Sequence, residues 1–392
     1  MNRLAPIDAV RHFTCAGFIA CIALSFHVWT NQRLFPLAPV IPGAILPTPF
    51  DYTLLGLLVL GLIAAFLTPN RLFIRMTLGV LALILFQDQM RWQPWVYIYV
   101  LLLIPYAFSP PVKNSKKQGD KAGENAHLVY IQLFLIGMYW WSGVHKLNAN
   151  FVEVIYPLFI KALFKVQEGH WLLQAKALGY LIPLTEILVG IGLAFPRTRR
   201  WAAIGGIGTH AIIVLFLSPL GMNDNHVVIP WNLAMIGVVF FTCFREKNRI
   251  SFTSATPTWR WAKWAMVILV WLLPALHLRK QWDTYLSFDL YSENIDHLYV
   301  ALRQQALAQL GDQLSDYYTP QNIIEEGKVV DVTDWSFKEL NVPVYPEKRV
   351  FKAIARHFCA LGLPDDQIMF VEYKRPFTAG KYKTYDCSFS RR

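Results

Sequence analysis

The stretch Tyr139-Trp140-Trp141-Ser142-Gly143-Val144-His145-Lys146-Leu147-Asn148 closes an apolar run, Leu128 to Val144, with a cationic side chain. A run of that length and composition reads as a membrane-crossing helix, which places Lys146 at or just inside the edge of the hydrocarbon. An ammonium there costs a few kcal/mol unless it reaches the headgroups, pairs with an acid or gives up its proton. Two readings follow: Lys146 ends the helix and snorkels, or it is a buried base whose charged form is destabilised. Ser142 and Gly143, one turn back, are small and leave room on that face for a planar ligand. His145 points about 100° away round the helix and reads as an interfacial residue.

The rest of the chain agrees with a membrane setting. Of 392 residues, 55% are hydrophobic and only 16% charged, too apolar for an ordinary soluble protein. The fold class expected is mostly α: a polytopic transmembrane helical bundle followed by a small extracytoplasmic α+β domain. Further apolar runs fall at His12–Trp29, Tyr52–Leu67, Leu72–Phe86, Trp95–Phe108, Trp171–Phe195, Trp201–Leu217, Val227–Phe244 and Trp261–His277. Phe151 to His170 carries Lys161, Lys165 and Glu168, a pattern that suits an interfacial or re-entrant helix better than a crossing. No cleavable leader is expected, because the first run lacks a small-residue cleavage site and leads into further spans.

The net charge of +11 arises from short loops between the runs. It sets topology, and a nucleic-acid partner is excluded. Lys113, Lys116, Lys117 and Lys121 occupy one loop, Arg197, Arg199 and Arg200 a second, and Arg245, Lys247 and Arg249 a third. If these loops, with Arg3 and Arg11, are cytoplasmic, roughly nine crossings leave the N-terminus inside and the C-terminal part outside. The expectation is a multi-pass protein of the bacterial inner (plasma) membrane, in contact with lipid. Residues 1–278 form the bundle and 279–392 the external domain. Within the latter, Asn294–Gln313 and Lys348–Leu361 read as helices, and Gln367–Tyr373 and Lys381–Phe389 as strands. Cys359 and Cys387 are the two cysteines placed to bridge; Cys15, Cys21 and Cys243 read as buried apolar residues.

Other ionisable groups interrupt the runs. His210 lies mid-run behind Gly205, Gly206 and Gly208, either packed against a neighbouring helix or functional. Glu186 is either protonated or paired with Lys146 or His210. Asp88 and Trp92 belong to a polar segment that reads most simply as a solvated loop with an interfacial tryptophan. No metal-ligand spacing stands out, and no metal is expected. The absence of an inverted repeat argues against a transporter.

The order Asp88, Trp92, Tyr97, Tyr99, then Ser-Gly-Val-His-Lys-Leu-Asn-Ala-Asn-Phe from Ser142, then a helix with a central His210, resembles the vitamin K-dependent gamma-carboxylase family. It also resembles that family's bacterial relatives with a horizontally transferred transmembrane (HTTM) domain. The resemblance implies a lyase-type carboxylase in which Lys146 matches the family's lysine base. That base would act on a reduced naphthoquinone (vitamin K or menaquinone) with oxygen, toward an extracytoplasmic protein or peptide substrate. Candidate catalytic residues are then Lys146, His210 and Asp88; candidate cofactor-binding residues are Trp92, Trp141, Ser142, Gly143 and Glu186. Gln93-Pro94-Trp95 stands where the family has an Asn-His pair. The alternative is a non-catalytic membrane protein of the same fold that binds quinone or lipid, or scaffolds an external partner.

Overall fold

A helix makes its backbone hydrogen bonds internally, so the apolar runs, whose side chains offer the backbone few partners, become helices. The computed structural model describes residues 5–108, 118–245, 257–320, 324, 326–374 and 381–391. Its first helices are α1 (Pro6–Leu24), α2 (Phe26–Trp29), α3 (Phe50–Leu67), α4 (Arg71–Gln87), α5 (Pro94–Phe108) and α6 (Gln118–Lys146). There follow α7 (Tyr156–Phe164), α8 (Trp171–Gln174), α9 (Leu181–Ala194), α10 (Arg199–Leu217), α11 (Val228–Val239), α12 (Pro257–Val267) and α13 (Leu273–His277). The C-terminal part adds β1 (Asp296–Leu302), α14 (Gln304–Leu310), β2 (Tyr318–Thr319), β3 (Lys328–Asp331), α15 (Val332–Leu340), α16 (Lys348–Cys359), β4 (Ile368–Lys374), β5 (Tyr382–Tyr385) and α17 (Ser388–Arg391). The chain is thus mostly helical, with one small antiparallel sheet.

Among the described residues four helical segments are long and apolar enough to cross a membrane: Pro6–Leu24, Phe50–Leu67, Lys176–Ala194 and Arg199–Leu217. A fifth arises if Ala126–Lys146 and Phe151–Phe164, bent by 83° at their junction, count as one broken span. By length and composition the described residues thus supply four or five of the roughly nine crossings expected from the runs. Pro94–Phe108, Val228–Phe244 and Trp261–His277 are apolar but shorter. Of the basic residues used to orient the chain, Arg3, Lys113, Lys116, Lys117, Lys247 and Arg249 lie outside the described residues. The loop expected to carry Lys121 is helical from Gln118.

The chain divides into two compact units, the first formed by Met1–Leu24, Gly56–Leu81 and Pro94–Ser292, the second by Ser25–Leu55, Ala82–Gln93 and Glu293–Arg392. In the first, polar groups at helix ends satisfy backbone carbonyls that a helix C-terminus leaves unpaired. Arg11 donates to the carbonyls of Ala65 and Phe66 at the end of α3, and Arg199 Nε to that of Leu193 at 3.0 Å. Asn148 manages the sharp turn after α6. Its Nδ2 donates to the His145 carbonyl at 2.9 Å, and its Oδ1 accepts from Phe151 N–H at 3.0 Å, where the next helix begins.

In the second unit the sheet order is β2-β3-β1-β4-β5, every pairing antiparallel, with Tyr299 opposite both Asp331 and Val371. Here the helix expected over Asn294–Gln313 is corrected: Asp296–Leu302 is the central strand, and helix begins only at Gln304. Of its seven residues six are buried, so the strand shows no polar alternation, and its run of apolar residues cannot be told from a helix by periodicity. The Lys348–Cys359 helix and the Ile368–Lys374 strand lie where the sequence puts them; the last expected strand is shortened to Tyr382–Tyr385 and gives way to α17. Cys359 and Cys387 form a disulfide.

In the first unit α6 and α9 pack extensively against each other. A Cβ at Gly143 would lie 2.6 Å from the Pro183 carbonyl oxygen, and one at Gly190 would lie 3.0 Å from Trp140 N. Backbone meets backbone at both points, as small residues allow between membrane helices. Gly143→Ala is expected to force the helices apart and to lower stability by about 1–3 kcal/mol. Gly79→Ala, where a Cβ meets nothing within 4 Å, should be neutral or slightly stabilising. Thermal unfolding of the two variants in detergent checks the contrast.

Candidate functional site

With Gly143 seated against α9, Lys146 arrives one turn later beside Glu186, which follows Pro183 by three residues. Lys146 Nζ lies 3.0 and 2.8 Å from the two Glu186 carboxylate oxygens and 2.6 Å from Ser142 Oγ. The side chains of the pair are 8% and 6% exposed. The three donors of the ammonium are thereby used, and both carboxylate oxygens accept. The sequence left Glu186 either protonated or paired with Lys146 or His210; it pairs with Lys146.

The pair opens onto a cavity of about 220 Å³ within the first unit. Its wall is mainly apolar, with Ile98, Phe151, Ile182, Ile213 and Phe216 among the lining residues, and its polar groups are few. Besides Lys146, Glu186 and Ser142 they include Tyr139 from α6, Thr209 and His210 from α10, and Trp231 and Asn232 from α11. A mainly apolar chamber with a few convergent polar groups is the usual form of a small-molecule site.

Hydrogen bonding around His210 fixes what it offers. Asn232 Nδ2 donates to the Val228 carbonyl at 2.8 Å, one turn back on α11, so Asn232 Oδ1 is an acceptor. That oxygen is 2.6 Å from His210 Nδ1, which must therefore carry the proton and donate. In the neutral ring Nε2 is then a bare acceptor. Nε2 of His210, the hydroxyl of Tyr139 and Nε1 of Trp231 are all buried and have no hydrogen-bond partner among the described residues. Buried polar atoms are usually paired, so three such atoms around one chamber are groups that a ligand or water can satisfy. Tyr139 and His210 also touch, ring centroids 5.7 Å apart.

The remaining candidates lie elsewhere. Gly143 faces the backbone of α9, which fills the space the sequence reserved for a ligand. Trp141 stacks on His145 at 5.4 Å and does not line the cavity. Asp88 and Trp92 belong to the second unit. There Asp88 is wholly buried, not a solvated loop residue: it pairs with Arg33 and accepts from Ala38 N and Met90 N at 3.0 and 3.1 Å. Burial pushes the neighbouring Arg91 guanidinium down to about 10, with Asp88 opposing, so it stays charged at neutral pH. Trp92 donates to the Leu85 carbonyl at 2.9 Å and lies under the Arg349 guanidinium, 5.7 Å from its ring centroid. Sequence reasoning missed Tyr139, Trp231 and Asn232, whose types are common in apolar helices and carry no signal until their neighbours are known.

No curated protein and no solved structure matches the chain. Residues 124–227 match the family described as methylamine utilisation protein MauE, a membrane protein family. That match replaces the resemblance to the gamma-carboxylase and HTTM families, and both functions drawn from it are withdrawn: the lysine-initiated carboxylase and the non-catalytic HTTM-fold protein. The motif that carried the resemblance has a local explanation, since Gly143 serves helix packing and Lys146 is held by Glu186 instead of standing free as a base. Over α6 to α10, the segment that supplies Tyr139, Ser142, Lys146, Glu186 and His210, the chain is similar to methylamine utilisation protein MauE.

Proposed function

We propose that this chain is a multi-pass membrane protein whose first unit binds an apolar small molecule bearing a hydroxyl or carbonyl group at one end. The observation that carries the reading is the set of three unpartnered buried atoms, Tyr139 Oη, His210 Nε2 and Trp231 Nε1, around a chamber that is otherwise apolar. His210 Nε2 accepts, Trp231 Nε1 donates and the tyrosine hydroxyl does either, so the complementary ligand offers both a donor and an acceptor. A hydroxyl beside His210 is placed for proton transfer to Nε2. The Lys146–Glu186 pair sets a fixed local field in a low-dielectric wall and is itself neutral overall. The similarity to methylamine utilisation protein MauE supports the reading, because residues 124–227 contain the lysine, the glutamate and the histidine that line the chamber.

The same reading places the second unit outside the cytoplasm. The Cys359–Cys387 disulfide supports this, since such bonds persist in oxidising compartments. Arg197 between α9 and α10, with Arg199 and Arg200 in the first turn of α10, supports a cytoplasmic side for that connection.

Three outcomes are expected. Organic extraction of the purified protein, read by mass spectrometry, should yield one such molecule per chain, and Ile213→Trp, which fills the chamber, should abolish its retention. His210→Phe should weaken binding of the extracted molecule by about 1–2 kcal/mol, five- to thirtyfold. A folded wild type that yields nothing, or an Ile213→Trp variant that retains the molecule unchanged, would overturn the reading. Separately, Lys146→Met leaves a buried carboxylate uncompensated and should cost about 3–5 kcal/mol in denaturant unfolding. Lys146→Met with Glu186→Leu should recover most of that. Last, a C-terminal reporter fusion active only outside the cytoplasm should be active; an inactive but folded fusion would reverse the orientation.

A further inference from the structure

One group of His, Cys, Asp or Glu side chains converges among the described residues without any part in the chamber. His145, His277 and Asp289 each present one ligand atom, and the three atoms lie within 4.8 Å of one another. All three belong to the first unit. His145 is in the last turn of α6, His277 ends α13, and Asp289 follows the 3₁₀ turn Tyr285–Ser287. Between that turn and Asp289, Phe288 adopts a left-handed backbone with φ 60°, and its ring is fixed against Tyr97 and Phe134 at 5.8 and 6.2 Å. The carboxylate is aimed by packing.

The hydrogen bonds within this group are incomplete in a particular way. His277 Nδ1 lies 2.9 Å from the Trp282 carbonyl oxygen, to which it must donate. Its Nε2 is then the bare nitrogen of the neutral ring, yet it faces Asp289 Oδ2 at 2.9 Å. Two acceptors at that distance require a shared positive charge, whether a proton or a metal ion. A backbone carbonyl that fixes one ring nitrogen as donor and leaves the other bare is also how metal-binding histidines are oriented. His145 and Asp289 are 5% and 1% exposed, and His145 Nε2 and Asp289 Oδ1 find no hydrogen-bond partner among the described residues. A proton between His277 and Asp289 would leave both of those atoms unsatisfied; a metal ion accounts for His145 Nε2 as well.

We propose that His145, His277 and Asp289 bind one divalent transition-metal ion. Two imidazoles and one carboxylate are the donor set of a zinc-type site, with a fourth position left for water. Ligand distances of about 2.0–2.2 Å bring the donors of a tetrahedral site to roughly 3.4 Å from one another. Small side-chain rotations that open the 2.9 Å His277–Asp289 spacing, and bring the others from no more than 4.8 Å, reach that value. The proposal does not depend on what fills the chamber, but the two sites share their walls. Lys146 and His145 are consecutive on α6, and Phe288 and Leu290, on either side of Asp289, line the chamber. The ion therefore ties α6, α13 and the 285–292 segment together at the edge of the chamber.

The test uses the full chain, free of any affinity tag, in lipid discs. Titration with Zn²⁺ followed by metal analysis after gel filtration is expected to give one equivalent per chain, and Co²⁺ to give visible d–d bands that Zn²⁺ displaces. His145→Ala and Asp289→Asn are each expected to weaken Zn²⁺ binding at least tenfold while the protein stays monodisperse. If either variant fails to fold, X-ray absorption at the zinc edge of the wild type decides: two imidazole shells with oxygen uphold the site, and any other histidine count overturns it. Absence of saturable binding of Zn²⁺, Co²⁺, Mn²⁺ and Fe²⁺ by folded wild type, or unchanged Zn²⁺ affinity in a folded variant, also overturns it.

Discussion

The first unit is organised around the burial of two opposite charges, Lys146 and Glu186, between α6 and α9. Taking an ammonium and a carboxylate out of water costs several kcal/mol each, and their attraction offsets this only when the geometry is close and the remaining hydrogen bonds are made. The helices meet that requirement by approaching at Gly143 and Gly190, where backbone touches backbone. Ser142 Oγ accepts the third hydrogen bond of the Lys146 ammonium. The close approach of α6 and α9 on one side leaves α10 and α11 to complete a chamber on the other, and the polar atoms there are spared from pairing with the charges.

Much of the fold was legible because hydrophobic length and charge are properties of the sequence itself. The apolar runs announced the helices, and Lys348–Cys359 announced itself by its amphipathic pattern. What failed to show was tertiary in origin. Asp296–Leu302 is buried on both faces, which erases the alternation that marks a strand. The run Trp95–Phe108 is apolar but short, and the helix it forms, Pro94–Phe108, is short as well. In the site, Lys146, Glu186 and His210 could be singled out because ionisable groups are rare in hydrocarbon. Tyr139, Trp231 and Asn232 could not, since their meaning depends on which atoms their neighbours leave unpaired. The motif around Lys146 also shows how a short sequence likeness misleads: its glycine and lysine answer to helix packing and to charge pairing.

His145 and Lys146 show how one helical turn serves two environments. Adjacent residues on a helix project about 100° apart, so Lys146 meets Glu186 and the chamber while His145 meets Trp141, His277 and Asp289. Asn148 then ends the helix and turns the chain sharply just beyond both side chains.

The second unit is assembled from three separated stretches of chain, and this has a consequence for how the protein is made. Glu339 accepts from the backbone N–H groups of Leu34 and Phe35, partners 305 and 304 residues away. At about 5–20 residues per second, ribosomal synthesis separates the appearance of these groups by roughly 15–60 s. During that interval Ser25–Leu55 and Ala82–Gln93 have emerged, but the sheet and α15 that complete their hydrogen bonds do not yet exist. The early segments, including buried Asp88 with Arg33 and Arg91, must wait as an unfinished surface. Translation arrest or truncation before Glu339 leaves that surface without its covering, a natural handle for quality control.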